Sequence, residues 1–70
     1  MRITIHFTLN GEPREAAPGT TLAELVASTG VAPEALATAI DGEFVPRAAR
    51  QQRVLREGDA VFTFQPITGG

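Results

Sequence analysis

Few side chains in this 70-residue chain are equipped for chemistry. There is no Cys to serve as a nucleophile or thiolate ligand, no Lys to form a Schiff base, and a single His, His6. Carboxylates pair up as Asp41 with Glu43 and Glu57 with Asp59. Each pair brackets a glycine, which is the composition of a tight turn rather than of a general acid and base. Arg47, Arg50, Arg53 and Arg56 recur at every third residue, a spacing that predicts a solvated polar face, and no aromatic lies between them to stack on RNA bases. What remains is the chain's end, Pro66-Ile67-Thr68-Gly69-Gly70. A terminal carboxylate becomes reactive once it is activated, typically as an acyl-adenylate made with ATP. A narrow channel enclosing it favours glycine, which has no Cβ and accepts any backbone conformation.

The carboxylate of Gly70 needs something to carry it. From Gln65 to Gly70 an extended chain reaches roughly 20 Å at about 3.3 Å per residue, enough to leave the body of a small domain and enter a partner's active site. The residues just before this tail, Val61, Phe62, Thr63 and Phe64, alternate in the manner of a strand. Phe62 and Phe64 share one face, with Val61 and Thr63 on the other. Side-chain volume favours placing the phenylalanines inside, and the alternation alone leaves open which face is the core.

The elements behind this strand can be read from turn signals and periodicity. Ile3, Ile5, Phe7 and Leu9 alternate with Thr4, His6 and Thr8, predicting a strand with one buried face and His6 as a surface histidine without a role. Asn10-Gly11 suits a tight hairpin turn, with Arg14 to Ala17 returning as a second strand. Thr21 and Glu24 have the spacing of a capping box, so a helix is expected from about Leu22 to the stop signal at Gly30, with Leu22, Leu25 and Val26 on its apolar face. Leu36 to Ile40, the Asp41-Gly42 turn and Glu43 to Val45 form a second hairpin. Pro46 ends it, residues 47–56 read as loop with one helical turn, and Ala60 to Gln65 is the last strand. The order β-β-α-β-β-β predicts an α+β domain over residues 1–66 with one helix across a small mixed sheet of four to five strands, and a flexible tail at 67–70.

Composition narrows the functional classes. Seventy residues make one domain, which without disulfides or metal clusters must hold together by packing. Eight acidic residues against six basic ones, all of them Arg, give a net charge of -2. That balance argues against nucleic acid as a partner. The opening residues lack the apolar run of a signal peptide or membrane span, and the absence of a disulfide framework favours the cytoplasm.

Asn10-Gly11-Glu12-Pro13, Gly19-Thr20-Thr21-Leu22, Asp41-Gly42-Glu43, Val45-Pro46-Arg47, Gly58-Asp59 and Gly69-Gly70 occur in an order and spacing that resemble the thiamine sulfur carrier family (ThiS), a ubiquitin-like β-grasp family. The resemblance covers Leu9 to Gly70. It implies that the last strand lies parallel to the first, and that Phe64 belongs to an outer sheet face that meets partners. It further implies that an E1-like adenylyltransferase (ThiF type) adenylates Gly70 with Mg-ATP. A sulfur donor such as a cysteine desulfurase would then convert it to a thiocarboxylate, and thiazole synthase (ThiG type) would take the sulfur. The chain would bind no cofactor and catalyse nothing itself. Partner contact would fall on Gly69, Thr68, Ile67, Phe64 and Phe62. Carriers for molybdopterin, cysteine or tRNA thiolation share this fold and ending, and a non-carrier β-grasp interaction module is the alternative from a different class. Val45-Pro46-Arg47 and the compact helix region favour thiamine.

Overall fold

The computed structural model describes residues 3–65. The strand β1 (Ile5–Leu9) turns through Asn10-Gly11 into β2 (Glu12–Ala16), followed by the helix α1 (Leu22–Ser28). A 3₁₀ turn at Pro33–Ala35 leads to β3 (Ala37–Ile40), which turns through Asp41-Gly42 into β4 (Glu43–Val45). A second 3₁₀ turn at Arg47–Ala49 and an extended loop lead to β5 (Ala60–Phe64). Both hairpin turns have positive φ at both central residues, 54° and 84° at Asn10-Gly11 and 51° and 83° at Asp41-Gly42. This is the geometry whose twist matches that of the flanking strands. β1 begins two residues later than the alternation predicts, and β2 starts at Glu12 rather than Arg14, because the two-residue turn pairs Leu9 directly with Glu12.

The five strands form one sheet in the order β2-β1-β5-β3-β4. β5 runs parallel to β1, with Thr8 opposite Ala60 and Leu9 opposite Val61, and antiparallel to β3. This mixed sheet with one helix across it is the ubiquitin-like β-grasp. Phe7, Leu9, Ile40, Val45 and Val61 from the sheet meet Leu22, Leu25 and Val26 of α1 and Leu36 and Leu55 of the loops in a single core.

Seven residues are too few for a helix to persist alone, and the contacts at its start show what holds it. The capping box is present: Thr21 Oγ1 accepts from the Glu24 amide at 3.2 Å, and the Thr21 amide donates to Glu24 Oε1 at 3.0 Å. The remaining first-turn donors find loop carbonyls, Leu22 N–H on Arg53 at 2.8 Å and Ala23 N–H on Arg50 at 3.2 Å. Every amide of the first turn is therefore satisfied, and the same bonds tie the loop after β4 to the helix. No helix of the described residues is long and apolar enough to cross a membrane.

Candidate functional site

Residues 66–70, which carry the predicted tail and the sites Ile67, Thr68, Gly69 and Gly70, lie outside the described residues. What the structure shows is the platform from which they depart. β5 runs through the middle of the sheet, paired with β1 at Ala60 and Val61 and with β3 from Val61 to Phe64, so its last residues are held in place by β3. Val61 sits opposite Leu9 and Ile40 and is wholly buried under α1. Alternation then turns Phe62 and Phe64 to the opposite, helix-free face, where they are 40% and 50% exposed. The volume argument for burying them fails because the register with β1 and β3 decides the face. Thr63, on the core side, is fixed by Asn10 of the first hairpin, whose Oδ1 accepts from the Thr63 amide at 2.9 Å and whose Nδ2 donates to Thr63 Oγ1 at 3.0 Å.

A third aromatic joins this face. Phe44 of β4 pairs with Ala39 of β3, which pairs in turn with Phe62 of β5, so the three residues form a row across three strands. Phe44 is 66% exposed. Ala37, opposite Phe64, continues the face along β3. Sequence reasoning treated Glu43 to Val45 only as a returning strand and missed Phe44. The signal was available: a two-residue turn at Asp41-Gly42 places residue 44 opposite residue 39, and the buried positions Ile40 and Val45 send both to the outer face.

The arginine series does not form a solvated face. Arg50 is only 3% exposed. Its Nε donates to Thr38 Oγ1 at 3.1 Å, its Nη1 to the carbonyl of Pro33 at 3.0 Å, and its Nη2 to the carbonyl of Leu36. Thr38 Oγ1 in turn donates to the Val45 carbonyl at 3.0 Å. Burial, and then the neighbouring charge of Arg47, pull the Arg50 guanidinium below its ordinary pKa. Arg53 is half-buried and pairs with Asp59 at 3.3 Å. Only Arg47 and Arg56 are left exposed, on an irregular segment where a period of three no longer defines a face.

Asp59 serves its own turn, as the spacing predicts, whereas Asp41 and Glu57 bond amides of other strands. Asp59 Oδ2 accepts from the Arg56 amide at 2.8 Å, and Asp41 Oδ1 from the Ala60 amide at 3.0 Å. Exposed His6 lies 3.4 Å by Nδ1 from Glu57 and 3.6 Å by Nε2 from Glu15. The His6 backbone amide, donating to Glu57 at 2.9 Å, is the main cause holding that carboxyl below its usual range. Among the described residues no group of three or more His, Cys, Asp or Glu is placed to hold a metal ion. The arrangement thus presents an apolar aromatic face next to a central strand that leads into the C-terminal segment.

The model of the ThiS family matches residues 7–70. The chain is 33% identical over 66 residues to the sulfur carrier protein ThiS of Escherichia coli strain K12, covering 94% of this chain and all of the relative. It superposes on the crystal structure of the thiamine biosynthesis protein ThiS from Geobacter metallireducens with a TM-score of 0.81 at 29% identity, again over 94% of this chain and all of the other. A solution NMR structure of a thiamine biosynthesis protein from the same organism gives 0.74, over 94% of this chain and 88% of the other.

Proposed function

Because the chain belongs to the ThiS family, we propose that it is a sulfur carrier of thiamine biosynthesis whose working group is the carboxylate of Gly70. The observation that carries this reading is the extent of the family match, which runs from the first strand through Gly69-Gly70. An enzyme's chemistry needs a constellation of side chains, and a carrier's needs only an accessible end and a surface by which partners recognise it.

In this reading an E1-like adenylyltransferase (ThiF type) binds the domain and Mg-ATP. A carboxylate oxygen of Gly70 attacks the α-phosphorus, pyrophosphate leaves, and the acyl-adenylate forms. A persulfide supplied by a donor such as a cysteine desulfurase then adds its terminal sulfur to the acyl carbon and expels AMP, and a thiol reduces the resulting acyl disulfide, breaking its S–S bond to leave a terminal thiocarboxylate. Thiazole synthase (ThiG type) takes the sulfur from it. The chain is cosubstrate throughout, and its body contributes binding. Phe62 and Phe64 supply apolar contact beside the departure point of the tail, and Ile67, Thr68 and Gly69 line the partner's channel.

The test is intact mass spectrometry of the protein from cells in which the thiamine pathway is active. The expected result is a species whose C-terminal peptide is heavier by the difference between a sulfur and an oxygen atom, with the shift localised to Gly70. A free carboxylate alone, even after incubation with ATP, the E1-like enzyme and a sulfur donor, would refute the carrier reading.

A further inference from the structure

A guanidinium buried as deeply as that of Arg50 ordinarily has a carboxylate against it. Arg50 has only neutral partners, the hydroxyl of Thr38 and the carbonyls of Pro33 and Leu36. A guanidinium carries five N–H groups, and these bonds use three, which leaves one on each Nη. The charge that acts on it is of the same sign: Arg47, after burial itself, pulls the Arg50 pKa down. Among the described residues Arg14 pairs with Glu12 and Arg53 with Asp59, while neither Arg47 nor Arg50 has an acidic partner.

Both arginines line one open cavity of about 380 Å³ between α1 and the two 3₁₀ turns. Ala23, Val26, Pro33 and Ala48 give it an apolar wall, Gln51 adds an amide, and no carboxylate lines it. A larger hollow beside β4 sets Asp41 and Glu43 against Arg53, so its charges offset each other within the protein. Only the cavity at Arg47 and Arg50 combines unbalanced positive charge with an apolar wall. Its volume falls near the small end of the range of ligand sites, about 300–1,000 Å³.

We propose that this cavity binds a small organic anion, its carboxylate or phosphate head held by Arg47 and Arg50 and its compact apolar body lying against Ala23, Val26 and Pro33. The guanidinium fork matches either head, and Arg50 is already fixed by its three bonds, so little side-chain freedom is lost when the anion arrives. The cavity opens on the helix side of the domain, whereas Phe62 and Phe64 occupy the helix-free face. A bound anion and a partner on that face therefore do not compete for surface.

The test is an NMR titration of the full-length, isotope-labelled chain with phenyl phosphate, benzoate, inorganic phosphate and benzyl alcohol. Phenyl phosphate and benzoate are expected to saturate with Kd of about 1 mM, shifting the Arg50 Nε–H signal and the amides of Ala23, Arg47 and Gln51. Inorganic phosphate, which lacks the apolar body, binds about tenfold more weakly, and uncharged benzyl alcohol does not saturate. Arg47→Ala weakens binding of the organic anions about tenfold, the loss of one charge-assisted contact, while Arg56→Ala, which removes an exposed arginine outside the cavity, leaves it unchanged. Saturation by only one of the two organic anions supports the site and assigns its head as phosphate or carboxylate. No saturable shift with either at up to about 50 mM would overturn the proposal. Equal weakening in Arg56→Ala would also overturn it, as the mark of diffuse charge attraction, and so would benzyl alcohol binding as tightly as benzoate.

Discussion

Among the described residues, Arg50 is the one charged side chain that donates to three acceptors on two separate segments. The carbonyls of Pro33 and Leu36 belong to the connector that brings the chain from α1 to β3, and Thr38 lies within β3. Arg50→Ala is expected to destabilise the protein by about 3 kcal/mol, because it strands buried acceptors that had a charged donor. Arg47→Ala, three residues earlier and exposed, is expected to change stability by less than about 0.5 kcal/mol. Urea unfolding of the two variants measures the contrast, and similar midpoints would show that the Arg50 contacts contribute little. This residue was misread in the sequence for a definite reason. Its partners lie 12 to 17 residues away and are mostly backbone carbonyls, which leave no trace in residue type. Asp59 was legible because its partner is the Arg56 amide of its own turn, whereas the bond of Asp41 to the Ala60 amide, 19 residues away on β5, left no local trace.

At the level of elements, β5 divides its side chains between the core and the outer face. Val61 is wholly buried, and Phe62 and Phe64 are exposed on the other face. The same residue type therefore has two prices in this sheet. Phe7→Ala on the core side of β1 is expected to cost about 3–5 kcal/mol, whereas Phe64→Ala should cost about 1 kcal/mol and weaken binding of the adenylating partner by a larger amount. Paired denaturation and binding measurements test this, and a loss of several kcal/mol on Phe64→Ala would place its ring in the core's account instead. Both hairpins and the helix start were legible in the sequence because each is written locally, in Asn10-Gly11, in Asp41-Gly42 and in the Thr21–Glu24 box. The face taken by the phenylalanines was not legible in their alternation, and only the family resemblance turned Phe64 outward, because the face depends on the parallel pairing of Leu9 with Val61, two residues 52 positions apart. Phe44 was missed for a related reason: its neighbour Phe62 is supplied across β3, not along the chain.

For the whole molecule, the proposed carrier function sets different requirements for the folded body and for Gly70, and this gives the most discriminating prediction. The core is built from β1, α1, β3, β4, β5 and the loops between them, and its members run from Phe7 to Val61. Deleting Gly70 should therefore leave the melting temperature unchanged and leave docking of the sheet face to the adenylating enzyme within about threefold, equivalent to roughly 0.6 kcal/mol. Adenylation should be abolished, because the new terminal carboxylate ends one residue, about 3.3 Å, short of the α-phosphate. The deleted chain should then act as a competitive inhibitor of the full-length one, since it occupies the same surface without turning over. Inhibition kinetics with both chains present would show this as a rise in KM at constant kcat. An interaction module whose end is irrelevant would instead retain every measurable activity on losing Gly70. A carrier whose tail supplied most of the affinity would lose docking together with chemistry, and the truncated chain would not compete. Competition without turnover is the signature that separates a body used for recognition from an end used for reaction.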